Sequence, residues 1–238
     1  MVDRVALAAL EAEIVACRRC PRLVEWRERV ARDKVARYAD EPYWGRPLPG
    51  FGDPAARVLI VGLAPAAHGG NRTGRVFTGD RSGDFLWAAL HETGFADRAS
   101  SRRANDGLTL ADAYIAAAVR CAPPLNRPTN EERDNCAPFL VHELALLTEV
   151  RVIVPLGGFG WDAVLRTLAV LGHDTPRPKP RFGHGAEATI GPYRLVASFH
   201  PSQQNTFTGR LTAPMLADVL ARAGGLAAGG DRPTLIPE

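Results

Sequence analysis

Four short apolar segments constrain the fold of this chain more than any other feature, because each is followed at once by small or polar residues. They lie at 57–62, 114–119, 151–154 and 193–199. Segments with apolar residues at helical spacing separate them. Strands that alternate with helices in this way predict a parallel sheet covered by helices on both faces. We therefore expect an α/β fold, a three-layer α/β/α sandwich with a central four-stranded parallel sheet.

The helices between these strands also have recognisable boundaries. We expect them at 82–93, 130–147, 161–171 and 213–223. Thr129 precedes the second helix and Glu132 follows three residues later, which is the pattern of a capping box. We expect one domain over residues 1–223 and a flexible tail over 224–238.

A parallel sheet binds its ligands in the crevice outside the carboxyl ends of its strands, and all four sets of small or polar residues fall there. The first set, from Gly62 to Asp80, is too rich in proline for a dinucleotide-binding fingerprint. It also lacks the Gly-Lys-Ser/Thr ending of a phosphate-binding P-loop. Its small residues would instead let a flat ligand approach the backbone closely.

Three side chains at this crevice are candidates for chemistry. Phe77 could stack on a flat ligand, or it could simply pack in the core. Asp80 could cap the helix that follows it, or it could act as a base or electrostatic anchor, with Asp84 as its rival. His200 ends the last strand, where an imidazole can donate a hydrogen bond to a carbonyl or to an anion that develops there.

Composition excludes several classes of protein. Of the 238 residues, 46% are hydrophobic and 23% are charged, which indicates a packed globule. No stretch approaches the ~20 apolar residues of a membrane helix, and charged residues near the start interrupt the one candidate for a secretory signal. We therefore expect a cytoplasmic protein in a reducing compartment, without a membrane partner.

The four cysteines of the chain form a pattern of their own. They are Cys17, Cys20, Cys121 and Cys136. Disulfides are rare in a reducing compartment, and the C-x2-C spacing of the first two suits a shared metal centre better than plain burial. Zinc and a [4Fe–4S] cluster both accept four cysteines. The absence of a second C-x2-C pair argues mildly against a zinc ribbon.

The basic residues are almost all arginine, since only Lys34 and Lys179 are lysine among 29. A GC-rich genome would explain this bias, and arginine also suits bidentate contact with phosphate. Eight basic residues lie within 18–37. Such crowding is typical of an electrostatic surface for a polyanion.

Four motifs together with the cysteines carry a family resemblance. The motifs are GLAPA at 62–66, GRVFTG at 74–79, RCAPPLNR at 120–127 and HPS at 200–202. In this order and spacing the chain resembles the uracil-DNA glycosylase superfamily, and within it the iron–sulfur branch called type B or the fifth family. The resemblance extends from Cys17 to about Thr212.

The resemblance implies a monofunctional DNA glycosylase that hydrolyses the N-glycosidic bond of uracil and so initiates base excision repair. It also implies hypoxanthine, ethenocytosine and hydroxymethyluracil as substrates. The implied partner is double-stranded DNA, and binding of single-stranded DNA is left open. We expect a monomer that associates with the nucleoid. The four cysteines match the ligands of a structural [4Fe–4S] cluster.

The resemblance assigns roles to Phe77 and to the loop after His200, and the mechanism that we infer from the crevice residues assigns the others. We expect Asp80 and His200 to be catalytic. The base-binding residues are expected to be Gly62, Ala64, Pro65, Ala66, Phe77 and Asn126. The loop expected to wedge into the duplex consists of Pro201, Ser202, Gln203, Gln204 and Asn205.

Three positions depart from related branches. Leu63 and Ala64 stand where the fourth and first families carry a carboxylate, and Ala117 stands where several branches carry an asparagine that reads uracil. These departures imply relaxed base selection, with Asn126 as a candidate substitute reader. Two other classes stay open: a non-catalytic zinc-containing DNA-binding module, and a small α/β hydrolase or transferase, which would lack a G-x-S-x-G elbow here.

Overall fold

The computed structural model describes residues 3–229. Over these residues the helices are α1 (Arg4–Ala16), α2 (Pro21–Asp33), α3 (Gly70–Thr73), α4 (Arg81–Glu92), α5 (Asn130–Leu146), α6 (Gly157–Val170), α7 (Gln203–Phe207) and α8 (Ala213–Ala227). The strands are β1 (Phe51–Gly52), β2 (Val58–Gly62), β3 (Ala113–Ala117), β4 (Val152–Pro155), β5 (Glu187–Ile190) and β6 (Tyr193–Val196). Short 3-10 helices lie at Ala36–Tyr38 and Pro124–Asn126.

The strands form one sheet in the order β1-β3-β2-β4-β6-β5. The four inner strands are parallel, which confirms the α/β sandwich with four central parallel strands. The described sheet nevertheless has six strands rather than the expected four, because β1 and β5 pair antiparallel with its two edges. Both edge strands are short and partly exposed, so neither carries the apolar run that marks a buried strand.

Each face of the sheet packs against its own layer of helices. Along β2, Val58 and Ile60 contact the core beneath α4 and α8, whereas Leu59 and Val61 contact the core beneath α5 and α6. Because successive side chains of a strand point to opposite faces, a strand buried on both sides must be apolar throughout. This requirement explains the uninterrupted apolar sequence of the inner strands.

Helix α5 begins where the sequence predicts, whereas α6 begins earlier. The capping box of α5 is present: the Thr129 side chain accepts from the Glu132 backbone at 3.2 Å, and the Glu132 carboxylate accepts from the Thr129 backbone at 2.7 Å. Helix α6 begins at Gly157 rather than near Trp161, because Gly157, two residues after the end of β4, has a left-handed backbone that starts the turn. Over residues 3–229, none of the helices has the length and apolar character needed to cross a membrane.

The tail does not begin at 224 as expected. Helix α8 continues to Ala227, which is fully buried, and the Ala227 carbonyl accepts from Arg57 Nη1 at 3.3 Å. The small residues of this segment resembled a frayed end, but their apolar face packs on the core. The rest of the expected tail, 230–238, lies outside the described residues.

Candidate active site

A cavity of about 560 Å³ lies where the chain leaves the carboxyl ends of β2, β3 and β6. It is bounded by the segment after β2, the start of α4, the 3-10 helix after β3 and the start of α7. Its lining residues include Trp26, Arg37, Tyr38, Ala66, His68, Gly69, Asp80, Asp84, Asn126 and Gln203. The cavity is therefore at the crevice that the strand order predicts.

Asp80 caps a helix and lines this cavity with the same side chain. Its Oδ1 accepts from the Gly83 backbone at 2.9 Å, at the N-terminus of α4. The carboxyl group also packs directly on Gly69, where a Cβ atom would lie 1.9 Å from Oδ2. Burial raises the pKa of Asp80. Asp84 lies on the same cavity, but its side chain is exposed.

Phe77 and His200 form an aromatic pair at the end of β2. Phe77 has a left-handed backbone, with φ of 49°, and its carbonyl accepts from the Trp87 indole at 2.7 Å. The Phe77 ring covers Gly62, where a Cβ atom would lie 2.7 Å from two ring carbons. The centroids of the Phe77 and His200 rings are 5.8 Å apart. Backbone strain of this kind is stored preferentially at functional sites.

His200 is uncharged at neutral pH, because burial lowers the pKa of its imidazole to about 4. Its carbonyl accepts from Asn205 Nδ2 at 2.8 Å, which attaches the strand end to α7. Gly157 passes close beside it, where a Cβ atom would lie 3.2 Å from the His200 Cβ. A neutral imidazole held in this way can donate one hydrogen bond without bringing a charge into the site.

The expected base-binding residues separate into two groups. Ala66 and Asn126 line the cavity, and Asn126 has a left-handed backbone with φ of 55°. Pro65 is buried and supports Gly70. Gly62, Ala64 and Phe77 are not among the described residues that line the cavity, and neither is His200. Ala64 instead packs against the cluster that contains Cys121. Ala64 and Ala66, two positions apart, thus have different surroundings, and the sequence alone does not show which of them lines the cavity.

The expected DNA-binding loop 201–205 is only partly a loop. Pro201 is buried, and the chain becomes helical at Gln203, so the last three of the five residues belong to α7. Gln203 lines the cavity. Phe207, at the end of α7, is 66% exposed beneath the Arg81 guanidinium at 5.2 Å. Phe207 was not predicted as a site residue, although an aromatic residue close to the HPS motif was a usable signal.

A second exposed apolar side chain, which does line the cavity, was also not predicted. Leu125 is 83% exposed and has a left-handed backbone with φ of 54°. It lies between Pro124 and Asn126 in the 3-10 helix after β3 and lines the cavity. Pro123 and Pro124, which directly precede Leu125, restrict the backbone there but do not reveal the direction of the leucine side chain.

The four cysteines converge on one small pocket between α2, the end of β3 and α5, and all four are free thiols. Among residues 3–229, no group of three or more His, Cys, Asp or Glu side chains is arranged as a metal-ion site. Burial raises the pKa of Cys121 to about 11 and that of Cys136 to about 12. Left as neutral thiols, these side chains are small apolar groups at the centre of a core cluster.

Three N–H groups point at the sulfur atoms. Arg27 Nη1 donates to Cys121 Sγ at 2.9 Å, and the Arg120 backbone donates to Cys136 Sγ at 3.2 Å. Asn135 Nδ2 lies 3.7 Å from Cys20 Sγ. Hydrogen bonds to sulfur stabilise thiolates and tune iron–sulfur clusters. The donor set therefore fits a centre ligated by four thiolates.

The basic segment 18–37 is a less open polyanion surface than expected. Arg27 is buried, where it holds sulfur, and four of its neighbours bind glutamates. The four pairs are Arg18–Glu28, Arg19–Glu13, Arg22–Glu132 and Arg29–Glu25. Arg37, by contrast, lines the cavity, with its guanidinium 5.1 Å from the Tyr38 ring.

Known proteins match nearly the whole of this chain. Residues 49–223 match the family model of the uracil DNA glycosylase superfamily. The chain is 54% identical over 224 residues to the type-5 uracil-DNA glycosylase of Mycobacterium bovis, covering 93% of this chain and 82% of that protein. It is 52% identical over 215 residues to the type-5 uracil-DNA glycosylase of Thermus thermophilus, covering 90% and 95% respectively.

A more distant relative is the type-4 uracil-DNA glycosylase of Pyrobaculum aerophilum, which is 35% identical over 156 residues, or 65% of this chain and 71% of that protein. The expectation of an enzyme is confirmed at the level of class, a hydrolase of the DNA glycosylase type. The chain belongs to the uracil-DNA glycosylase superfamily and, within it, to the type-5 family.

Proposed function

We propose that this chain is a monofunctional glycosylase that removes uracil from DNA by hydrolysing the bond between base and deoxyribose. The observation that carries the proposal is the buried carboxylate of Asp80 on the cavity, three residues after the strained Phe77 that pairs with His200. An aromatic ring is required to stack on a base. A carboxylate and a neutral hydrogen-bond donor are required to release the base as an anion.

In the proposed mechanism the extruded base stacks on Phe77, and His200 donates a hydrogen bond to an oxygen of the base. The C1′–N bond breaks and its electron pair leaves with the base. The oxygen of a water then bonds to C1′, and the released proton passes to Asp80 or to the departing base. Asp80 orients that water and offsets the positive charge on the sugar. Since Leu63 and Ala64 offer no carboxylate after β2, departure of the base precedes attack by water.

The cavity supports hydrolysis rather than strand cleavage through a covalent imine. An imine needs an amine nucleophile, and none of the described cavity-lining residues is a lysine. Lys179 instead binds Asp162 on the surface of α6. We therefore expect the DNA strand to stay intact until alkali cleaves it at the abasic site.

The proposed substrate range includes hypoxanthine, ethenocytosine and hydroxymethyluracil. Ala117, at the end of β3, presents only a methyl group and cannot read the edge of a base. Asn126, which lines the cavity, carries an amide that can form hydrogen bonds with a base. With fewer fixed hydrogen bonds to one base, discrimination against others weakens. The proposed partner is duplex DNA, with single strands also accepted, and the proposed state is a monomer.

We further propose that Cys17, Cys20, Cys121 and Cys136 hold a [4Fe–4S] cluster. When bound, the cluster supplies a rigid structural link rather than redox chemistry. Arg27, which donates to Cys121 Sγ at 2.9 Å and to the Cys17 carbonyl at 3.1 Å, would keep two of the ligand segments in register.

The function is tested by incubating the purified protein with duplex oligonucleotides that carry one uracil opposite guanine, followed by alkaline strand scission. Parallel duplexes carry hypoxanthine or ethenocytosine, and an undamaged duplex is the control. Strand scission only at the damaged position supports the proposal. A protein that cleaves none of these duplexes would support a non-catalytic DNA-binding module instead.

The cluster is tested separately by metal analysis and visible absorption of the anaerobically purified protein. Four iron atoms per chain and a brown colour that Cys136→Ser abolishes would support it. One zinc per chain in a colourless protein would contradict it, whatever the result for excision.

A further inference from the structure

The side chains of Tyr43 and His68 have no role in the mechanism above. Tyr43 Oη lies 3.0 Å from Nδ1 of His68, and the two rings meet edge to face with centroids 6.1 Å apart. His68 lines the cavity and directly precedes Gly69, on which the Asp80 carboxyl group packs. His68 is therefore the residue next to Gly69, whose backbone contacts the reacting carboxylate.

The backbone around His68 is held in place by a nearly buried arginine. Arg72 Nε donates to the His68 carbonyl at 2.8 Å, and Nη2 donates to the Gly79 carbonyl at 2.9 Å. Its third N–H contact is with the Glu41 carboxylate. Because Gly79 precedes Asp80, one guanidinium holds together the two wall segments that carry His68 and Asp80. A backbone held in this way gives the side chain of His68 a fixed starting point, which suits recognition.

The direction of the Tyr43–His68 hydrogen bond decides what His68 presents to the cavity. An imidazole lone pair is a better acceptor than a phenol oxygen, and a phenol O–H is a good donor. If Tyr43 accepted instead, its own proton would have no partner among the hydrogen bonds of the described residues. Burial and the nearby Arg72 lower the pKa of His68, so the ring is neutral and carries one proton. Donation by Tyr43 places that proton on Nε2.

We propose that Tyr43 and His68 form a recognition pair, in which the Tyr43 hydroxyl donates to Nδ1 and thereby directs the Nε2–H of His68 to an acceptor oxygen of the extruded nucleotide. The pair rests on the proposed function, because it needs a nucleotide in the cavity. The acceptor is a carbonyl of the base or an oxygen of a flanking phosphate. Tyr43 is a positioning residue, since it acts only through His68.

The first test observes the proton without using activity. Long-range ¹⁵N–¹H NMR spectra of the histidine rings distinguish a protonated Nε2 from a protonated Nδ1. We expect the His68 signals, assigned by their loss in His68→Gln, to show the Nε2–H form in the wild-type protein and a mixture in Tyr43→Phe. A wild-type Nδ1–H form would overturn the proposal. Because it needs no substrate, this result stands even if uracil excision fails.

The second test measures single-turnover excision of uracil and the affinity for duplex with a stable abasic analogue. Loss of one neutral hydrogen bond predicts about a 5-fold lower excision rate constant for Tyr43→Phe and a larger loss for His68→Ala. His68→Gln, which keeps an N–H donor, is expected to recover part of the loss. Unchanged abasic affinity would assign the acceptor to the base, and affinity reduced in parallel would assign it to phosphate.

The matched control is Tyr193→Phe, because Tyr193 also meets a histidine edge to face, His173, with centroids 5.4 Å apart. It lies outside the cavity lining, so we expect wild-type excision. Wild-type rates in both Tyr43→Phe and His68→Ala, in a protein that excises uracil, would overturn the pair. A purely structural role would lower the melting temperature, and His68→Gln would not recover the rate.

Discussion

At the scale of single residues, Asp80 satisfies two requirements with one carboxyl group. One oxygen accepts from the first turn of α4, and the group is also buried beside the cavity. The sequence allowed a structural and a functional interpretation of this residue as alternatives. The structure shows that helix capping and access to the cavity coexist, because the cap fixes the direction of a side chain that burial makes more basic.

Replacing this carboxyl group should separate its two roles. Asn caps a helix about as well as Asp, so Asp80→Asn should change the free energy of unfolding by less than about 0.5 kcal/mol. Loss of the ionisable group should lower the single-turnover rate of uracil excision at least about 100-fold. Asp84→Asn is the control and should excise uracil at the wild-type rate. If Asp84→Asn loses activity and Asp80→Asn keeps it, the carboxylate has been misassigned.

His200 should make the stability of the protein depend on pH. The pKa of its ring is about 4 in the folded protein against 6.5 when exposed, so below about pH 6.5 the unfolded chain binds more protons. Stability should therefore fall as the pH drops from about 6.5 to about 4. Between pH 7.5 and pH 5, wild-type protein should lose on the order of 2 kcal/mol more than His200→Gln in urea unfolding. Equal losses would show that the ring is solvated.

At the scale of elements, the inner strands and α5 were predictable because their signals are local. An uninterrupted apolar run marks a strand buried on both faces, and a capping box marks a helix start. Strands β1 and β5 were not predictable, since each depends on a partner distant in sequence, as in the pairing of Phe51 with Ile115.

The capping box of α5 gives a direct test at this scale. Thr129→Ala removes the acceptor for the Glu132 backbone N–H and should lower the free energy of unfolding by about 1 kcal/mol. Thr148→Ala, at an exposed position beyond α5, is the control and should be neutral. Chemical denaturation measures both. A neutral Thr129→Ala would mean that other contacts hold the helix start without the cap.

The extension of α8 beyond Ala223 is tested by Gly225→Ala. Gly225 is exposed, and a Cβ atom there would meet no other atom within 4 Å. In a formed helix the substitution should raise the free energy of unfolding by about 0.5 kcal/mol, because alanine loses less backbone entropy than glycine. If residues after 223 were frayed, chemical denaturation would show no change.

At the scale of the whole molecule, one buried ion pair connects the cysteine cluster to the core. The Arg120 and Glu143 side chains are essentially inaccessible, and Arg120 Nη1 donates to Glu143 Oε1 at 3.1 Å. The Arg120 backbone also donates to Cys136 Sγ. The pair therefore links the end of β3, the body of α5 and a candidate cluster ligand. Breaking it should affect the fold as a unit.

Glu143→Gln should leave the Arg120 charge buried without a counter-ion and destabilise the protein by about 3–5 kcal/mol. Asp162→Asn breaks the exposed pair with Lys179 and should cost less than about 1 kcal/mol. Urea unfolding of the two variants under the same conditions makes the comparison. Similar small losses for both would show that water reaches Arg120.

The sequence by itself determined the alternation of strands and helices, the edge of the sheet that holds the cavity, and the family. These properties follow from local apolar periodicity, strand ends and motif order, all of which can be identified along the chain. Only the tertiary structure decided that Ala66 rather than Ala64 lines the cavity, that Arg22 of the basic segment binds Glu132, and that Tyr43 meets His68. The last two contacts join residues that are 110 and 25 positions apart, and packing between elements selects them without leaving a local pattern.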